Sequence, residues 1–197
     1  MRISKQSDYS FQGHLQKIYY SKDMVDERDV QYILSRFTQL NTAISYATPL
    51  LFVIDYTQSQ YLLMTDTSQL ITSYDPREFI ESGIPMLIDI FHQDDFRIYN
   101  RQVFAENVKF LQSQPQHTHN EYLFSYNFRV RCRNGRFVPV WQRGCYITSK
   151  ETGLPLYSLG MVIDIAPVKK DNVVCHTIEK VDASGGLFSK EIVVSNY

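Results

Sequence analysis

The sequence predicts an α+β fold in which an antiparallel sheet is covered on one face by short helices and one longer helix. Two segments with alternating apolar and polar residues, 122–132 and 136–148, flank Asn134-Gly135, a pair that favours a tight hairpin turn. A third segment, 156–165, is almost entirely apolar, as expected of a central strand. Upstream, apolar residues recur at helical spacing over 94–111, which predicts the longer helix.

Composition and charge narrow the class of protein. Of the 197 residues, 44% are hydrophobic and 14% are aromatic, which is enough to fill the core of one ordinary domain with extensions. Only eight Gly and seven Pro argue against a disordered chain. The formal net charge of −1 provides no attraction for nucleic acid, so we expect no DNA-binding domain within these residues.

No targeting or membrane signal is visible in the sequence. The N-terminus lacks the apolar segment of a signal peptide, and the longest apolar stretches are too short to span a bilayer. The three cysteines, an odd number, form no Cys-x-x-Cys pair, which fits a reducing compartment. We therefore expect a cytoplasmic protein without membrane contact.

The N-terminal quarter contains one clear helical pattern. Residues 1–25 show no period, and we expect loose structure or a short arm there. An amphipathic helix follows, with Asp26 as its N-cap and Pro49 as its stop. Its apolar stripe must be buried on the main domain, on a second copy of the chain, or on both. The candidates for a dimer contact are Ile33, Phe37, Leu40 and Ile44.

Short elements fill the segment before the longer helix. Two apolar strands are predicted, 50–56 and 61–65, separated by a polar turn. Small helical pieces follow, and one of them begins at Asp75-Pro76, because proline suits the first helical turn, and ends at Ser82-Gly83. Asp94 is predicted to cap the longer helix. The apolar face of that helix carries Phe96, Tyr99, Val103, Phe104, Asn107 and Leu111.

The hairpin at Asn134-Gly135 decides which side chains face the core. Alternate residues of 122–132 form an aromatic face, which we place inward. A two-residue turn would pair Phe128 with Trp141. Pro139 cannot donate a hydrogen bond to the sheet, so it must fall at a bulge or at a non-bonded position.

The residues after the last core strand read as an extension. Segments 173–181 and 188–194 predict a hairpin around 183–186. The chain stops at Tyr197 directly after a strand-like run, from which we expect a piece of a longer protein.

Three short motifs, in this order and spacing, resemble those of PAS domains. Phe91-His92-Gln93-Asp94-Asp95 is similar to the His-Pro-Asp-Asp element that opens the long helix in that family, with Gln93 in the place of proline. Arg129-Val-Arg with Asn134-Gly135 resembles the Arg-x-Arg…Asp-Gly hairpin. Gly160-Met-Val-Ile-Asp164-Ile165 resembles the Gly-x-x-x-Asp-Ile-Thr ending, although Ala166 replaces threonine.

The resemblance implies a PAS fold, with five antiparallel strands and with short helices and one longer helix on one face. It divides the chain into an N-terminal arm and helix (1–47), the PAS domain (48–168) and a C-terminal extension or linker (169–197). The flanks resemble LuxR-type transcription regulators that carry an N-terminal PAS domain. The implied function is a sensory module that passes a signal to a C-terminal DNA-binding domain, a helix-turn-helix absent from this chain.

A PAS fold encloses a pocket between the sheet and the helices, and the aromatic strand face would line it. Phenol groups in such a wall could orient a small molecule. The alternative is a filled core without a ligand. The candidate pocket residues are Phe104, Phe124, Tyr126, Phe128, Trp141 and Met161.

Other polar residues give little sign of chemistry. Asp164 has two interpretations, a signal-output residue tied to a basic or hydroxyl group, or an Asp that makes a turn at the strand end. No Gly-x-Ser-x-Gly and no phosphate-binding loop is present, so no catalytic residue is predicted. His92 precedes a helix cap, and His117 and His119 lie in a polar loop without an acidic or Cys partner, so we expect neither a metal nor a cofactor.

A function from another class stays open beside the sensory one. An enzyme or binding protein with a cone-shaped α+β fold, such as the ketosteroid isomerase-like group, also uses an aromatic, curved sheet. That fold expects long N-terminal helices on the concave sheet face and a long final strand, whereas here two short strands precede the longest domain helix. Our expectation is a non-enzymatic homodimer.

Overall fold

The fold is organised around one antiparallel sheet. A computed structural model describes residues 9–21, 23, 27–43, 49–182 and 188–197. Within these residues the sheet has seven strands, in the order β2-β1-β5-β4-β3-β6-β7. The strands are β1 Leu50–Asp55, β2 Gln60–Met64, β3 Tyr122–Arg131, β4 Phe137–Thr148, β5 Pro155–Asp164, β6 Cys175–Asp182 and β7 Phe188–Asn196.

Most of the helices lie between β2 and β3 in the chain. A π-helical segment, Tyr99–Val103, joins α6 to α7, so that these elements form one continuous helix, and a 3-10 helix, Gln116–Glu121, leads into β3. The α-helices of the described residues are α1 Phe11–Tyr19, α2 Glu27–Ala43, α3 Thr67–Thr72, α4 Pro76–Ser82, α5 Ile84–Ile90, α6 Gln93–Ile98 and α7 Phe104–Ser113.

This element order confirms the predicted α+β class and matches the layout that the PAS resemblance implied. The five strands predicted for the PAS sheet are present as β1–β5, and the C-terminal hairpin β6–β7 continues the same sheet, so that the sheet of the described residues has seven strands. Strand β6 pairs with β3 from Tyr122 to Tyr126 and so covers an edge that would otherwise expose unpaired backbone groups. The turn of that hairpin, 183–187, lies outside the described residues.

The β3–β4 hairpin has a three-residue turn, so the predicted register was wrong by one residue. The backbone N–H of Gly135 donates to the carbonyl of Cys132 at 2.9 Å, and Gly135 has φ +82°. These features describe a tight turn closed by a left-handed glycine. Trp141 therefore pairs with Asn127 instead of Phe128. A one-residue shift moves every side chain of β4 to the other face of the sheet.

Pro139 occupies a non-bonded position toward β3, one of the two predicted alternatives, and toward β5 its carbonyl accepts from Ile165 N at 3.0 Å. It pairs with Arg129, whose backbone groups are used elsewhere: the N–H donates to Asp95 Oδ2 at 2.8 Å, and the carbonyl accepts from His92 N at 2.9 Å. Because Arg129 offers no backbone group to β4 here, the missing N–H of proline costs no hydrogen bond in that pair.

An ion pair joins two of the sequence motifs. The Arg129 guanidinium donates to both carboxylate oxygens of Asp95, at 2.9 and 2.6 Å, and Asp95 is 3% exposed. The cap prediction was wrong by two residues, because His92 is the N-cap of α6 and its Nδ1 accepts from Asp94 N at 3.3 Å. Asp94 instead pairs with Arg97 on the surface. The motif thus ties the start of the long helix to β3.

Helix α1 contradicts the loose structure expected of the first 25 residues. Ser10 caps it by accepting from Gly13 N at 3.1 Å, and Phe11, His14 and Ile18 lie at helical spacing on its buried side. Phe11 is 1% exposed. Its ring packs edge-on against four aromatic rings of the core, those of Tyr56, Phe96, Tyr99 and Phe104. The helix closes one end of the core.

The predicted dimer helix is present as α2, and its role stays a prediction. Ile33 is half-buried. The side chains of Phe37 and Leu40, the predicted cap Asp26 and the whole of Ile44 lie outside the described residues.

The centre of the inner sheet face carries two glycines side by side. Gly144 of β4 pairs with Gly160 of β5, between Phe124 and Phe52 on the flanking strands. A Cβ placed on Gly160 would meet the carbonyl oxygen of Arg143 and, at 2.7 Å, the Cα of Gly144. The two strands therefore approach more closely here than any larger residue permits.

Candidate ligand cavity and output network

A small cavity lies between the inner sheet face and the short helices α3–α5. Its volume is about 40 Å³, and its wall includes Phe52 and Val140 from the sheet and Leu87 from α5. Among the described residues, three side chains with polar groups stand in this mainly apolar wall, those of Tyr61, Thr72 and Gln142. Thr72 Oγ1 donates to Ser68 O at 2.7 Å, whereas the Gln142 amide makes no hydrogen bond within the described residues. The Gln142 amide is thus a polar group that a guest could bind.

The size of the cavity limits what it holds as it stands. A buried water needs about 10–15 Å³ of such volume, and pockets for drug-sized ligands measure about 300–1,000 Å³. At about 40 Å³ the cavity has room for a few heavy atoms. A larger guest requires movement of side chains such as Met64, Ile71 and Leu87, which are half-buried and sit in the wall.

The predicted pocket residues separate into three groups. Phe128 lies in the cavity wall. Phe104, Phe124 and Tyr126 are buried in the same core but outside that wall. Trp141 and Met161 were predicted on the wrong face, because their neighbours Val140 and Val162 line the cavity and successive residues of a strand alternate. The three-residue turn explains the error for Trp141.

A cluster of buried phenol groups adjoins the cavity. The ring of Tyr126 stacks on Tyr99 at 4.9 Å and on Phe128 at 5.2 Å, and Phe128 in turn stacks on Phe91 at 4.3 Å. Burial raises the pKa of Tyr99, Tyr126 and Tyr146 well above the usual range. These hydroxyls therefore stay protonated and act as neutral hydrogen-bonding groups. Their stack leads from the cavity toward α7.

A buried polar network connects α7 to the C-terminal hairpin. Asn107 Nδ2 donates to Tyr146 Oη at 3.1 Å, and Asn107 Oδ1 faces His176 Nε2 at 2.7 Å. Glu106 Oε2 faces His176 Nδ1 at 3.1 Å and accepts from Tyr197 Oη at 2.6 Å. Asn107 and His176 are both fully buried. The last strands of the chain are thus held on the core helix by side-chain hydrogen bonds.

The structure shows which groups Asp164, His92 and His119 contact. Asp164 Oδ1 accepts from Ala166 N at 2.7 Å, which describes a turn at the end of β5. His92 caps α6 as described above. His119 is buried, with Nδ1 at 2.9 Å from Thr148 Oγ1 and Nε2 at 2.8 Å from Leu111 O. These contacts are structural ones.

The described part of the chain contains neither a cluster of metal ligands nor a membrane-spanning helix. No group of three or more His, Cys, Asp or Glu side chains there is close enough to hold a metal ion. No helix among the same residues has the length and hydropathy needed to cross a membrane.

Several residues of this site escaped prediction from the sequence. Glu106, His176 and Tyr197 are far apart in the chain, and nothing in their spacing relates them. Asn107 did give a signal, because it is the polar member of the otherwise apolar face of the long helix. A polar residue at such a position needs a buried partner, and in the structure that partner is His176.

Among known proteins, the chain is similar to solved structures at low sequence identity. The sequence matches no family model and no curated protein. Similar solved structures include the N-terminal domain of a diguanylate cyclase with a PAS/PAC sensor from Marinobacter aquaeolei (12% identity, TM-score 0.45, 61% of this chain and 97% of that chain). Others are the Cycle PAS-B domain of Drosophila melanogaster (14%, 0.42, 59% and 99%) and a PAS domain from a two-component sensor histidine kinase (19%, 0.44, 66% and 96%). The fold assignment stands on the strand order and the motifs.

Proposed function

We propose that this chain is a PAS-type sensory module of a transcription regulator. It senses a small molecule in the cavity between the sheet and α3–α5 and passes the signal through its C-terminal hairpin. One observation carries the proposal: that cavity and the buried network that holds β6 and β7 lie in the same core. The motif order described above supports the PAS type.

The chemistry of the cavity wall favours a neutral, mainly apolar ligand with one hydrogen-bonding group. No Asp, Glu, Lys or Arg of the described residues stands in the wall, so a charged guest would lose its hydration without compensation. The Gln142 amide offers both a donor and an acceptor for a hydroxyl or carbonyl group. The ligand would widen the cavity by shifting helix side chains and thereby select one of two states of the core.

The output half of the proposal rests on the flanks. Their resemblance to LuxR-type regulators supports a helix-turn-helix beyond Tyr197, and the amphipathic α2 supports homodimerisation in the cytoplasm. DNA would be bound through that further domain alone, and the sensory chain would catalyse no reaction.

Ligand binding is tested by native mass spectrometry and thermal unfolding. The purified protein is examined for a co-purified small molecule and then heated with a panel of neutral alcohols and phenols. A ligand at about 100 times its Kd adds about 2.7 kcal/mol, which raises the Tm by roughly 5–10 °C for a chain of this size. Val140→Phe, which fills the cavity, should remove that shift, and Trp141→Phe on the opposite face should keep it.

Two results would contradict the proposal. The first is a wild-type protein with neither a bound mass nor a Tm shift for any compound. The second is an equal shift in Val140→Phe and Trp141→Phe, which would place binding elsewhere. The output domain is tested separately by reading the gene downstream of Tyr197, where a stop codon without a helix-turn-helix would exclude this type of regulator.

A further inference from the structure

A neutral imidazole ring cannot make both of the hydrogen bonds that His176 forms. Its Nδ1 faces the Glu106 carboxylate at 3.1 Å and its Nε2 faces Asn107 Oδ1 at 2.7 Å. Both partners are acceptors, and a neutral imidazole has only one N–H. With Asn107 in this orientation and Glu106 ionised, His176 is the imidazolium, which donates from both nitrogens. The ring is fully buried, so water supplies no missing proton.

A second arrangement satisfies the same heavy atoms without the extra proton. If the Asn107 amide turns by half a rotation, its NH₂ donates to Nε2 of a neutral His176, which still donates from Nδ1 to Glu106. The amide oxygen then accepts from the Tyr146 hydroxyl. Amide orientations and ring tautomers are interchangeable in this way because oxygen and nitrogen have nearly the same size. In each arrangement both ring nitrogens of His176, the Asn107 amide oxygen and the Tyr146 hydroxyl oxygen have a hydrogen-bond partner.

We propose that His176, Asn107 and Tyr146 form a proton-controlled two-state switch between the core and the C-terminal hairpin. Protonation of His176 turns the Asn107 amide, and Tyr146 changes from hydrogen-bond donor to acceptor. Anything that alters the hydrogen bonding of Tyr146 in turn changes the proton affinity of His176. The switch needs no ligand in the cavity and is independent of the proposed sensory function.

The groups that face His176 set the balance between the two states. From α7 come Glu106 and Asn107. Burial is the largest influence and lowers the pKa of His176, while the charge and hydrogen bond of Glu106 act to raise it. From β3, Tyr126 is the strand neighbour, and Tyr146 reaches the ring through Asn107. The opposition of burial and Glu106 is what keeps both states accessible.

The C-terminal strand shares the Glu106 carboxylate with His176. Ser195 Oγ and Tyr197 Oη donate to the same oxygen, at 3.2 and 2.6 Å. Burial is the largest cause that raises the pKa of Tyr197, to about 12, and the hydrogen bond to Glu106 acts in the same direction. In the charged state, His176 competes for that oxygen as an ion-pair partner. The proton on His176 therefore changes how β7 is held.

The test is an NMR titration of the ¹⁵N-labelled full chain from about pH 8 to about pH 4.5. Ring nitrogen shifts report the charge and tautomer of His176, and the side-chain NH₂ signals report Asn107. We expect His176 to titrate within the folded protein and the Asn107 NH₂ signals to move with the same midpoint. Glu106→Gln should lower that midpoint by about one pH unit or more, because the opposing charge is lost.

Glu121→Gln is the matched control. Glu121 pairs with Lys180 of the same strand β6 at 3.2 Å and does not contact His176, so its loss should leave the midpoint unchanged. A His176 that titrates while the Asn107 signals stay fixed would overturn the switch. So would a His176 that keeps one charge state over the whole range. Both outcomes come from the wild-type protein and do not depend on the folding of a variant.

Discussion

His14 makes the stability of this protein depend on pH in a way that can be calculated. The side chain is 4% exposed, between Tyr56 and Phe104, and its Nε2 lies 2.7 Å from the carbonyl of Pro155. A carbonyl only accepts, so Nε2 carries the proton of a neutral ring. Burial lowers the pKa of His14 to about 4, although the Pro155 hydrogen bond acts to raise it.

The magnitude follows from linkage between protonation and folding. The pKa in the folded protein, about 4, lies below the unfolded value of 6.5, so the unfolded chain binds more protons between these values. The contribution of His14 to the free energy of unfolding is therefore complete above pH 6.5 and is lost as the pH falls toward 4. At about pH 4.5 we expect a loss of about 2.5 kcal/mol in the free energy of unfolding, a large share of typical stability.

The assay is urea unfolding at a series of pH values for the wild type and for His14→Gln. Glutamine donates to Pro155 without titrating, so the variant should lose about 2.5 kcal/mol less than the wild type between about pH 7.5 and about pH 4.5. His117→Gln, at an exposed position, should follow the wild type. Parallel loss in the wild type and His14→Gln would show that His14 is not held neutral in the core.

Two further substitutions, with one control, test the fold, and a double substitution tests the dimer. Asp95→Ala should lower the free energy of unfolding by about 3 kcal/mol, because it removes the carboxylate that pairs with Arg129, whereas Asp94→Ala at the surface should cost less than about 1 kcal/mol by the same urea assay. Gly160→Ala should cost at least about 1–3 kcal/mol through the backbone clash, and an unchanged Tm would contradict the close strand approach. In light scattering, Phe37→Asp with Leu40→Asp should yield a monomer from a wild-type dimer, and a wild-type monomer at high concentration would refute the dimer.

Local patterns in the sequence were enough to predict most elements of the fold. Strands β1 to β5 and the helix start at Pro76 depend on alternation, apolar runs and capping residues, which act over a few neighbouring positions. The overlooked helix α1 carried the same kind of signal in Phe11, His14 and Ile18. It was too short to stand out from polar residues, and tertiary contacts of Phe11 stabilise it.

The candidate site was harder to predict because it depends on register and on distant contacts. Asn134-Gly135 allows a two-residue or a three-residue turn, and the choice between them moved Trp141 to the opposite face. The partners of Asn107 are set by where β6 joins the sheet. No local pattern encodes that pairing, since β6 could add to either edge of a five-stranded sheet.

The contacts of the long helix bear on how a fragment of this protein should be chosen. Phe11, near the start of the chain, and Tyr197, at the last residue of this sequence, both contact the helical run 93–113. A fragment trimmed to the motif-bearing residues 48–168 would open an aromatic hole at one side of that run and strip Glu106 of its donors at the other. Removal of the Phe11 ring alone costs about 3–5 kcal/mol. The unit that unfolds as a whole therefore extends well past the residues that identify its type.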